Sequence, residues 1–342
     1  MNRNMMGVFL VLSAVAALLP APSPGQTLSV DRVLIYSLEP GEEIMDAESM
    51  IAMSASVDEV VLVLTKGPQG PFAVFRDGKK SKPFANLDDA MKAAYAGTKG
   101  TPDRRRACAS YKPGPAPENM LPWKDDVEGG QVVRFKGMTF GPFVLAYSVT
   151  ATPDGARAYY TANDKNNAVF GCSDGRKVAV GGIPGEYKFS PNGLNAAVLC
   201  QGTTNPLDQS LPPEQVAASM DKKFIYTIDG KKFGPFKTGF GEGYGDFWYA
   251  STGNDLYYEA EGQLFRNGVL LMKTPWVDPC SFYPSADGKK YALFGYENVV
   301  FSDGQKFPSP LDIVVFTKNG QTMFKWIALE NKRDLVVYQR AM

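Results

Sequence analysis

The sequence predicts an all-β fold built from many short antiparallel hairpins. Asp-Gly or Asn-Gly dipeptides, which favour the positive φ angles of tight hairpin turns, stand between short aromatic and β-branched runs. A longer phrase also recurs, because Phe-Gly-Pro-Phe occurs at 140–143 and 233–236 and a shorter Gly-Pro-Phe copy at 70–72. Such recurrence is typical of a repeat architecture rather than of a catalytic motif. The nine dipeptides begin at Asp77, Asp154, Asp174, Asn192, Asp229, Asn267, Asp287, Asp303 and Asn319.

Runs rich in Val, Phe and Tyr, bounded by Gly, Pro and Asp, are the predicted strands. They cover 30–38, 60–65, 72–75, 156–161, 168–172, 196–200, 224–228, 255–259, 291–294, 313–316 and 335–338. At about 40 to 45 residues per four-stranded unit, the chain holds about six repeats. A β-propeller of about six four-stranded blades is therefore predicted, and the first strand closes the ring against the last blade. A large β-sandwich, or two small ones, is the alternative, but a sandwich has no reason to repeat Phe-Gly-Pro-Phe.

Two insertions interrupt the strands, at about 86–130 and at 202–221. Residues 86–96 are alanine-rich, begin with a potential N-cap asparagine and carry apolar residues at helical spacing, which predicts a short inserted helix. A loop rich in Pro, Lys and Arg is expected over 97–130. Proline at 212 and 213 predicts one or two helical turns near Gln215.

The N-terminus has the features of an export signal. Arg3 precedes an uncharged apolar run, and a small-residue, proline-rich stretch follows with Gly25 as the best cleavage point. We therefore expect a signal peptide at 1–25, a propeller domain at 26–342 and a periplasmic or secreted protein. The apolar run is short for a bilayer and none of its length follows, so no transmembrane span is expected after cleavage. An uncleaved N-terminal anchor is the alternative.

Three repeated phrases resemble a known family. The segments 152–160, 189–193 and 285–293 are similar to the Phe-Ser-Pro-Asp-Gly-Lys repeat of TolB-like and WD-repeat-like bacterial β-propellers, and 228–235 resembles an outer-strand phrase of the same repeats. The resemblance covers most of 30–342 and implies a propeller. No segment corresponds to the α/β domain that precedes the propeller of TolB itself, so the resemblance implies the fold and not the role of TolB.

Composition excludes several kinds of function. The chain has no histidine, which removes Ser-His-Asp and Cys-His catalysis and histidine-ligated metals. Lys plus Arg and Asp plus Glu both number 36, so no net charge favours nucleic acid. The glycine-rich segment 239–245 precedes a strand-like run, whereas a phosphate loop must open a helix. We expect no cofactor, no metal site and no nucleic-acid partner.

The four cysteines allow three pairings in an exported chain. Cys172 and Cys200 each end a predicted strand in successive repeats, so a disulfide between them is the favoured pairing. Four buried free thiols are the alternative, because a large core does not need disulfides.

Several residues are candidates for a binding surface, because Arg and the large aromatic residues are favoured at interface anchor points. Their alternative is structural, with Trp248 in the core and Trp123 packed over a blade edge. The candidates are Arg104, Arg105, Arg106, Trp123, Tyr244 and Trp248.

The predicted function is an exported binding or scaffold module without catalysis, whose protein or glycan partner binds at one propeller mouth or along 97–130. The alternative is a histidine-free enzyme with carboxylate catalysis of the glycosidase type. The two are distinguished at the axis, since a glycosidase needs two carboxylates about 5 to 10 Å apart in a cleft.

Overall fold

A computed structural model describes most of the chain after residue 29. The described residues are 30–45, 52–53, 60–96, 114–165, 167–202, 212, 214–215, 222–236, 246–251, 253–273, 277–285, 287–295 and 298–342. The predicted signal peptide and most of the predicted excursion at 202–221 lie outside these ranges.

The described strands form seven antiparallel sheets, which are the blades of a β-propeller. The predicted all-β propeller is confirmed, but the described strands form seven sheets where about six blades were predicted. Blade 1 contains β2 (Glu43–Ile44), β3 (Ala52–Met53), β4 (Val60–Thr65), β5 (Phe72–Arg76) and β6 (Lys79–Lys80); blade 2 contains β7 (Trp123–Val127), β8 (Gly130–Phe135) and β9 (Met138–Phe143); blade 3 contains β10 (Leu145–Ala151), β11 (Ala158–Asn163), β12 (Ala168–Cys172) and β13 (Lys177–Val180); blade 4 contains β14 (Ile183–Phe189), β15 (Ala196–Gln201), β16 (Lys223–Thr227) and β17 (Lys232–Phe236). Blade 5 contains β18 (Phe247–Tyr249), β19 (Leu256–Ala260), β20 (Gln263–Arg266) and β21 (Val269–Lys273); blade 6 contains β22 (Phe282–Pro284), β23 (Tyr291–Phe294), β24 (Asn298–Phe301) and β25 (Lys306–Pro308); blade 7 contains β26 (Pro310–Lys318), β27 (Gln321–Glu330), β28 (Asp334–Ala341) and β1 (Asp31–Ser37).

Both ends of the described chain meet in blade 7. Strand β1 pairs antiparallel with β28, from Asp31 opposite Gln339 to Ser37 opposite Asp334. The predicted closure of the first strand against the last blade is therefore confirmed. It gives β28 a partner on both sides, so its backbone donors and acceptors are not left at an open edge.

The turn dipeptides adopt two conformations. In all nine, the glycine has a positive φ. The preceding residue also has a positive φ at Asp77, Asn267 and Asn319 only, between 48° and 52°. Those three form two-residue hairpin turns of the predicted kind, whereas the other six place only glycine in the left-handed region.

The Ser-Pro-Asn-Gly and Thr-Pro-Asp-Gly phrases have one shared geometry and a structural role. Ser190 Oγ donates to Asn192 Oδ1 at 2.6 Å, and Asn192 Oδ1 also accepts from the Leu194 N–H at 3.0 Å. Ser190 Oγ accepts in turn from the Asn195 N–H at 3.1 Å. The same bonds recur around Thr152 with Asp154 and around Ser285 with Asp287.

Neighbouring blades are joined by hydrophobic cores, and the Phe-Gly-Pro-Phe phrase supplies two of the contacts. In blade 4, Phe233 and Phe236 lie 5.4 and 5.5 Å from the ring centre of Tyr258 in blade 5. Such cores join blades 2 to 3, 3 to 4, 4 to 5, 5 to 6, 6 to 7 and 7 to 1. The phrase recurs because the same interface recurs.

The predicted inserted helix is confirmed as α1 (Leu87–Ala96). Asn86 caps it, since its Oδ1 accepts from the Asp89 N–H at 2.9 Å and its Nδ2 donates to Asp89 Oδ2 at the same distance. The helix buries Ala90 and Ala94 against blade 1, on the face that also carries Val61 and Val63. The other face of blade 1 packs on blade 7. Helix α1 therefore covers the face of blade 1 that points away from blade 7.

The predicted loop over 97–130 requires a correction. A short 3₁₀ helix at Glu118–Met120 and all of β7 lie within it, so that blade 2 begins before the predicted end of the insertion. The sequence pattern does not indicate this strand, because Asp is disfavoured in strands and β7 carries Asp125 and Asp126 between Trp123 and Val127.

Candidate functional site

A cavity of about 700 Å³ lies at the axial side of blades 2, 3 and 4. We call it the axial cavity. The innermost strands β10 and β14 supply most of its wall, and Lys124 of β7 supplies the rest together with an extended segment that precedes blade 2. Its lining is Gly114, Pro115, Ala116, Lys124, Tyr147, Ser148, Val149, Thr150, Ala151, Gly185, Glu186, Tyr187 and Phe189.

Strand β7 lies one strand farther from the axis than β10 and β14 do. In blade 4 the Phe-Gly-Pro-Phe phrase lies on β17, the fourth strand from the axis. In blade 2 the same phrase lies on β9, and only β8 and β7 lie inside it in the described part of the chain. By this equivalence, β9, β8 and β7 correspond to β17, β16 and β15.

Two tyrosines place aromatic rings in the axial cavity. Tyr147 is held by Asn163, whose Nδ2 donates to its hydroxyl at 2.5 Å. Tyr187 packs beside Phe170, with ring centres 6.1 Å apart. Burial raises the pKa of both tyrosine hydroxyls, and a hydrogen bond with Thr150 opposes the rise at Tyr187. Both rings therefore present a neutral hydroxyl at physiological pH.

Two charged side chains, Lys124 and Glu186, line the axial cavity together with the tyrosines. The Lys124 ammonium donates to the carbonyl oxygens of Ala146 and Tyr147 at 3.2 and 3.4 Å, which ties β7 to β10. Lys188 Nζ lies 3.6 Å from Glu186 Oε1 and 2.7 Å from Asp246 Oδ1, so one ammonium joins a carboxylate of β14 to the carboxylate that directly precedes β18 of blade 5.

The two carboxylates bear on the enzymatic alternative. Glu186 is the one carboxylate that lines the axial cavity among the described residues. Asp246, from the next blade, shares the Lys188 ammonium with it. A glycosidase needs two carboxylates with room between them for an attacking water or a glycosidic oxygen, so Glu186 and Asp246 are the pair to test for the enzymatic alternative.

The two predicted binding residues that the structure describes, Trp248 and Trp123, lie in different surroundings. Trp248 is only 1% exposed, stacked with Tyr257 and packed on Phe282, so its predicted place on a binding surface is corrected and its structural alternative is confirmed. Its position in a core between two blades explains the burial. Trp123 is 50% exposed on β7, next to the cavity-lining Lys124. Arg104, Arg105, Arg106 and Tyr244 lie outside the described residues.

The predicted disulfide between Cys172 and Cys200 is also corrected. Both are buried free thiols, in the core between blades 3 and 4. Facing sheets pack about 10 Å apart, whereas a disulfide needs Cα atoms within about 7 Å. Burial raises the pKa of both thiols, that of Cys200 to about 12. Cys280 is disulfide-bonded, and the remaining cysteine, Cys108, lies outside the described residues.

Sequence reasoning missed the residues that line the axial cavity. The innermost strands β10 and β14 were not among the predicted strands, because each carries a bulge and β14 contains Pro184 and Gly185. A positional signal was present, since each strand directly precedes a Thr-Pro-Asp-Gly or Ser-Pro-Asn-Gly turn. Tyr147 and Tyr187 could have been found by counting back from those turns.

No family model and no curated protein matches the chain. Among solved structures, TolB from Acinetobacter baumannii is similar with 16% identity over 85% of this chain and 78% of that chain, at a TM-score of 0.25. The β-propeller domain of the Trilobed protease from Pyrococcus furiosus has 11% identity over 90% and 94%, also at 0.25. A eukaryotic initiation factor has 13% identity over 78% and 67%, at 0.30.

These structures include TolB and a propeller domain, the architecture that the sequence predicts. Their identities and TM-scores are too low to support an argument about function, and the propeller assignment rests on the seven sheets themselves. Within the described ranges, no helix is both long and apolar enough to cross a membrane.

Proposed function

We propose that the protein is an exported, non-catalytic binding module that takes its ligand in the axial cavity. The observation that carries the proposal is the composition of that cavity. Two tyrosines, two hydroxyl side chains, one carboxylate and one ammonium from three blades line about 700 Å³ of accessible space. Ligand sites typically combine aromatic surface with a few placed polar groups on a rigid frame.

The frame supports binding because the tyrosines stand on sheets that are fixed from both sides. Blade 3 shares one core with blade 2 and another with blade 4. Preorganised side chains lose little conformational entropy when a ligand binds. Export, in this proposal, follows from the signal-like sequence at 1–25.

A binding screen tests the proposal. The mature chain, immobilised, is presented with a glycan array and with a displayed library of random octapeptides. Tyr147→Ala and Tyr187→Ala should each weaken the selected ligand by about tenfold or more, as removal of an aromatic anchor does. Tyr95→Ala is the matched aromatic control, because Tyr95 is exposed on α1, outside the cavity. Retained affinity in both cavity variants would refute the proposed site.

The same screen also tests the enzymatic alternative. Selected glycans are incubated with the wild type, Glu186→Gln and Asp246→Asn, and the products are analysed by mass spectrometry. We expect no cleavage by any of the three. Turnover by the wild type that is lost in both variants would replace the binding module with a carboxylate enzyme.

A further inference from the structure

We infer that Cys280 forms its disulfide with Cys108, and that this bond is a second, covalent closure of the propeller ring. The chain has four cysteines, and Cys280 is disulfide-bonded. Cys172 and Cys200 are both free thiols, so neither is its partner. Cys108 is the one cysteine that is left in the chain. The bond is independent of what the axial cavity binds.

Cys280 is held in a fixed turn at the entry of blade 6. It lies in the short 3₁₀ helix Pro279–Ser281, which leads directly into β22, the innermost strand of that blade. Its backbone N–H donates to Asp278 Oδ1 at 2.9 Å, so the turn is capped. Val277 and Phe282, on either side of the turn, are buried in the core between blades 5 and 6. The cysteine is therefore anchored on the axial side of the ring.

The sequence position of Cys108 brings it to the same side. Cys108 lies six positions before Gly114. Gly114, Pro115 and Ala116 line the axial cavity, so the chain that enters blade 2 passes along the axial side of the ring. Six residues span at most about 20 Å. The covalent chain therefore keeps Cys108 within reach of the axial side, where the innermost strands of the blades converge.

The cross-link joins two nearly opposite parts of the ring. Blades 2 and 6 are separated by blades 3, 4 and 5 along one arc and by blades 7 and 1 along the other. The shorter arc contains the pairing of β1 with β28, at which the two ends of the described chain meet. Hydrogen bonds and the core between blades 7 and 1 hold this junction together. The disulfide spans the junction and adds a covalent bond to it.

The bond also restrains the unfolded chain. It encloses about 170 residues, from the approach to blade 2 through the whole of blade 5. The entropy that a cross-link removes from the unfolded chain rises with the length of the enclosed loop. A cross-link across so long a loop should therefore make the oxidised protein more stable than the reduced protein.

Formation of the bond needs an oxidant of the disulfide class. The thiols of Cys108 and Cys280 release two protons and two electrons as their S–S bond forms, and the disulfide of the oxidant takes them up and becomes two thiols. Cys172 and Cys200 take no part, because both are buried and free. Structural disulfides persist in oxidising compartments, in agreement with the proposed export.

Peptide mapping without reductant tests the pairing. The mature protein is unfolded in the presence of iodoacetamide, digested with trypsin and analysed by mass spectrometry. We expect one linked pair of peptides that contains Cys108 and Cys280, obtained from the monomer, and alkylation of Cys172 and Cys200. Alkylated Cys280, or Cys280 linked to a second copy of the chain, would overturn the inference.

Thermal unfolding tests the closure. We expect Cys108→Ser and Cys280→Ser to lower the Tm by similar amounts, about 5 °C or more, and the double variant to be no less stable than either, because all three lack the same bond. A reductant should lower the Tm of the wild type to that of the variants and leave the variants unchanged, which controls for the serine substitutions themselves.

Two results would contradict this role of the bond. Additive losses in the double variant would show that the two cysteines act separately. A wild type with the same Tm in its oxidised and reduced forms would show that the bond does not close the ring. If the serine variants do not fold, the comparison of oxidised and reduced wild type decides.

Discussion

The ring of Phe236 in blade 4 packs against that of Tyr258 in blade 5, with ring centres 5.5 Å apart. The contact has a counterpart two blades earlier, where Phe143 lies 5.4 Å from Tyr160. Each phenylalanine ends the outer strand of its blade, and each tyrosine lies on the second strand of the next. The Phe-Gly-Pro-Phe phrase thus supplies an aromatic contact between consecutive blades.

Truncation of this contact should destabilise the propeller. We expect Phe236→Ala to lower the free energy of unfolding by about 3 to 5 kcal/mol, because it removes a buried aromatic ring and leaves a cavity. Val269→Ala is the control, since Val269 is 63% exposed on the outer strand of blade 5 and should cost less than about 0.5 kcal/mol. Urea unfolding measures both. Similar losses in the two variants would show that the phrase does not join the blades.

The thiols give a second prediction. We expect iodoacetamide to modify neither Cys172 nor Cys200 in the folded protein at pH 8, because both are buried and burial raises the pKa of each thiol. In denaturant without reductant both should react, and Cys280 should not. Peptide mapping distinguishes the sites, and a peptide pair linked through Cys172 and Cys200 would contradict the structure.

Two buried glutamates should affect stability with opposite dependence on pH. Glu42 accepts from the Tyr36 hydroxyl at 2.6 Å and the Glu39 N–H at 3.0 Å, and it pairs with Lys80 at 2.6 Å. Burial alone would raise the pKa of Glu42, but these three partners together hold it below its ordinary value of 4.5. Its ionised form is therefore the one that stabilises the fold.

Glu42→Gln should accordingly lower the free energy of unfolding at pH 7, by about 1 to 3 kcal/mol, since hydrogen bonds to a charged group are lost. The folded-state pKa of Glu42 is depressed, so its contribution is complete above pH 4.5 and disappears as the pH falls through the folded-state value. Unfolding curves between pH 3 and 7 should converge for wild type and variant at the acid end. Divergence there would contradict the assigned sign.

Glu259 should behave in the opposite way. It is 3% exposed at the interface of blades 5 and 6, and its Oε2 atom has no hydrogen-bond partner. Burial raises its pKa, which a hydrogen bond from the Val277 N–H opposes. The fold therefore prefers its protonated form, and the contribution of Glu259 is complete below pH 4.5 and is lost as the pH rises through its folded-state pKa.

We expect Glu259→Gln to be nearly neutral at pH 4 and to stabilise the protein at pH 7, by about 1 to 3 kcal/mol for relief of an unsatisfied buried carboxylate. Thermal unfolding at the two pH values measures the difference. Glu42→Gln, measured in parallel, should be destabilising at pH 7. The same sign of change for both variants at pH 7 would refute the contrast.

The sequence was sufficient for the local features of the fold. The hairpin turn at Asn267 and the cap of α1 by Asn86 depend on residues within a few positions of one another, and both were predicted. The closure of β1 on β28 also followed, because a radial array removes its open edge in that way.

The candidate site was harder to predict from the sequence. Its tyrosines, Tyr147 and Tyr187, lie on bulged inner strands without clear alternation, and their proximity depends on how blades 3 and 4 are placed around the axis. The prediction of a disulfide between Cys172 and Cys200 was wrong for the same reason. Their order in the repeats was apparent, but the distance between two facing sheets is a tertiary property.

The central claim is that a ligand binds at the axis beside blades 2, 3 and 4, and its footprint is the most direct test. Amide hydrogen exchange of the mature chain, with and without the ligand selected in the screen, should show new protection in β7, β10 and β14, at Trp123–Val127, Leu145–Ala151 and Ile183–Phe189. The outer strand β1 at Asp31–Ser37 should be unchanged. Protection confined to β1, or to other strands at the perimeter, would contradict the account.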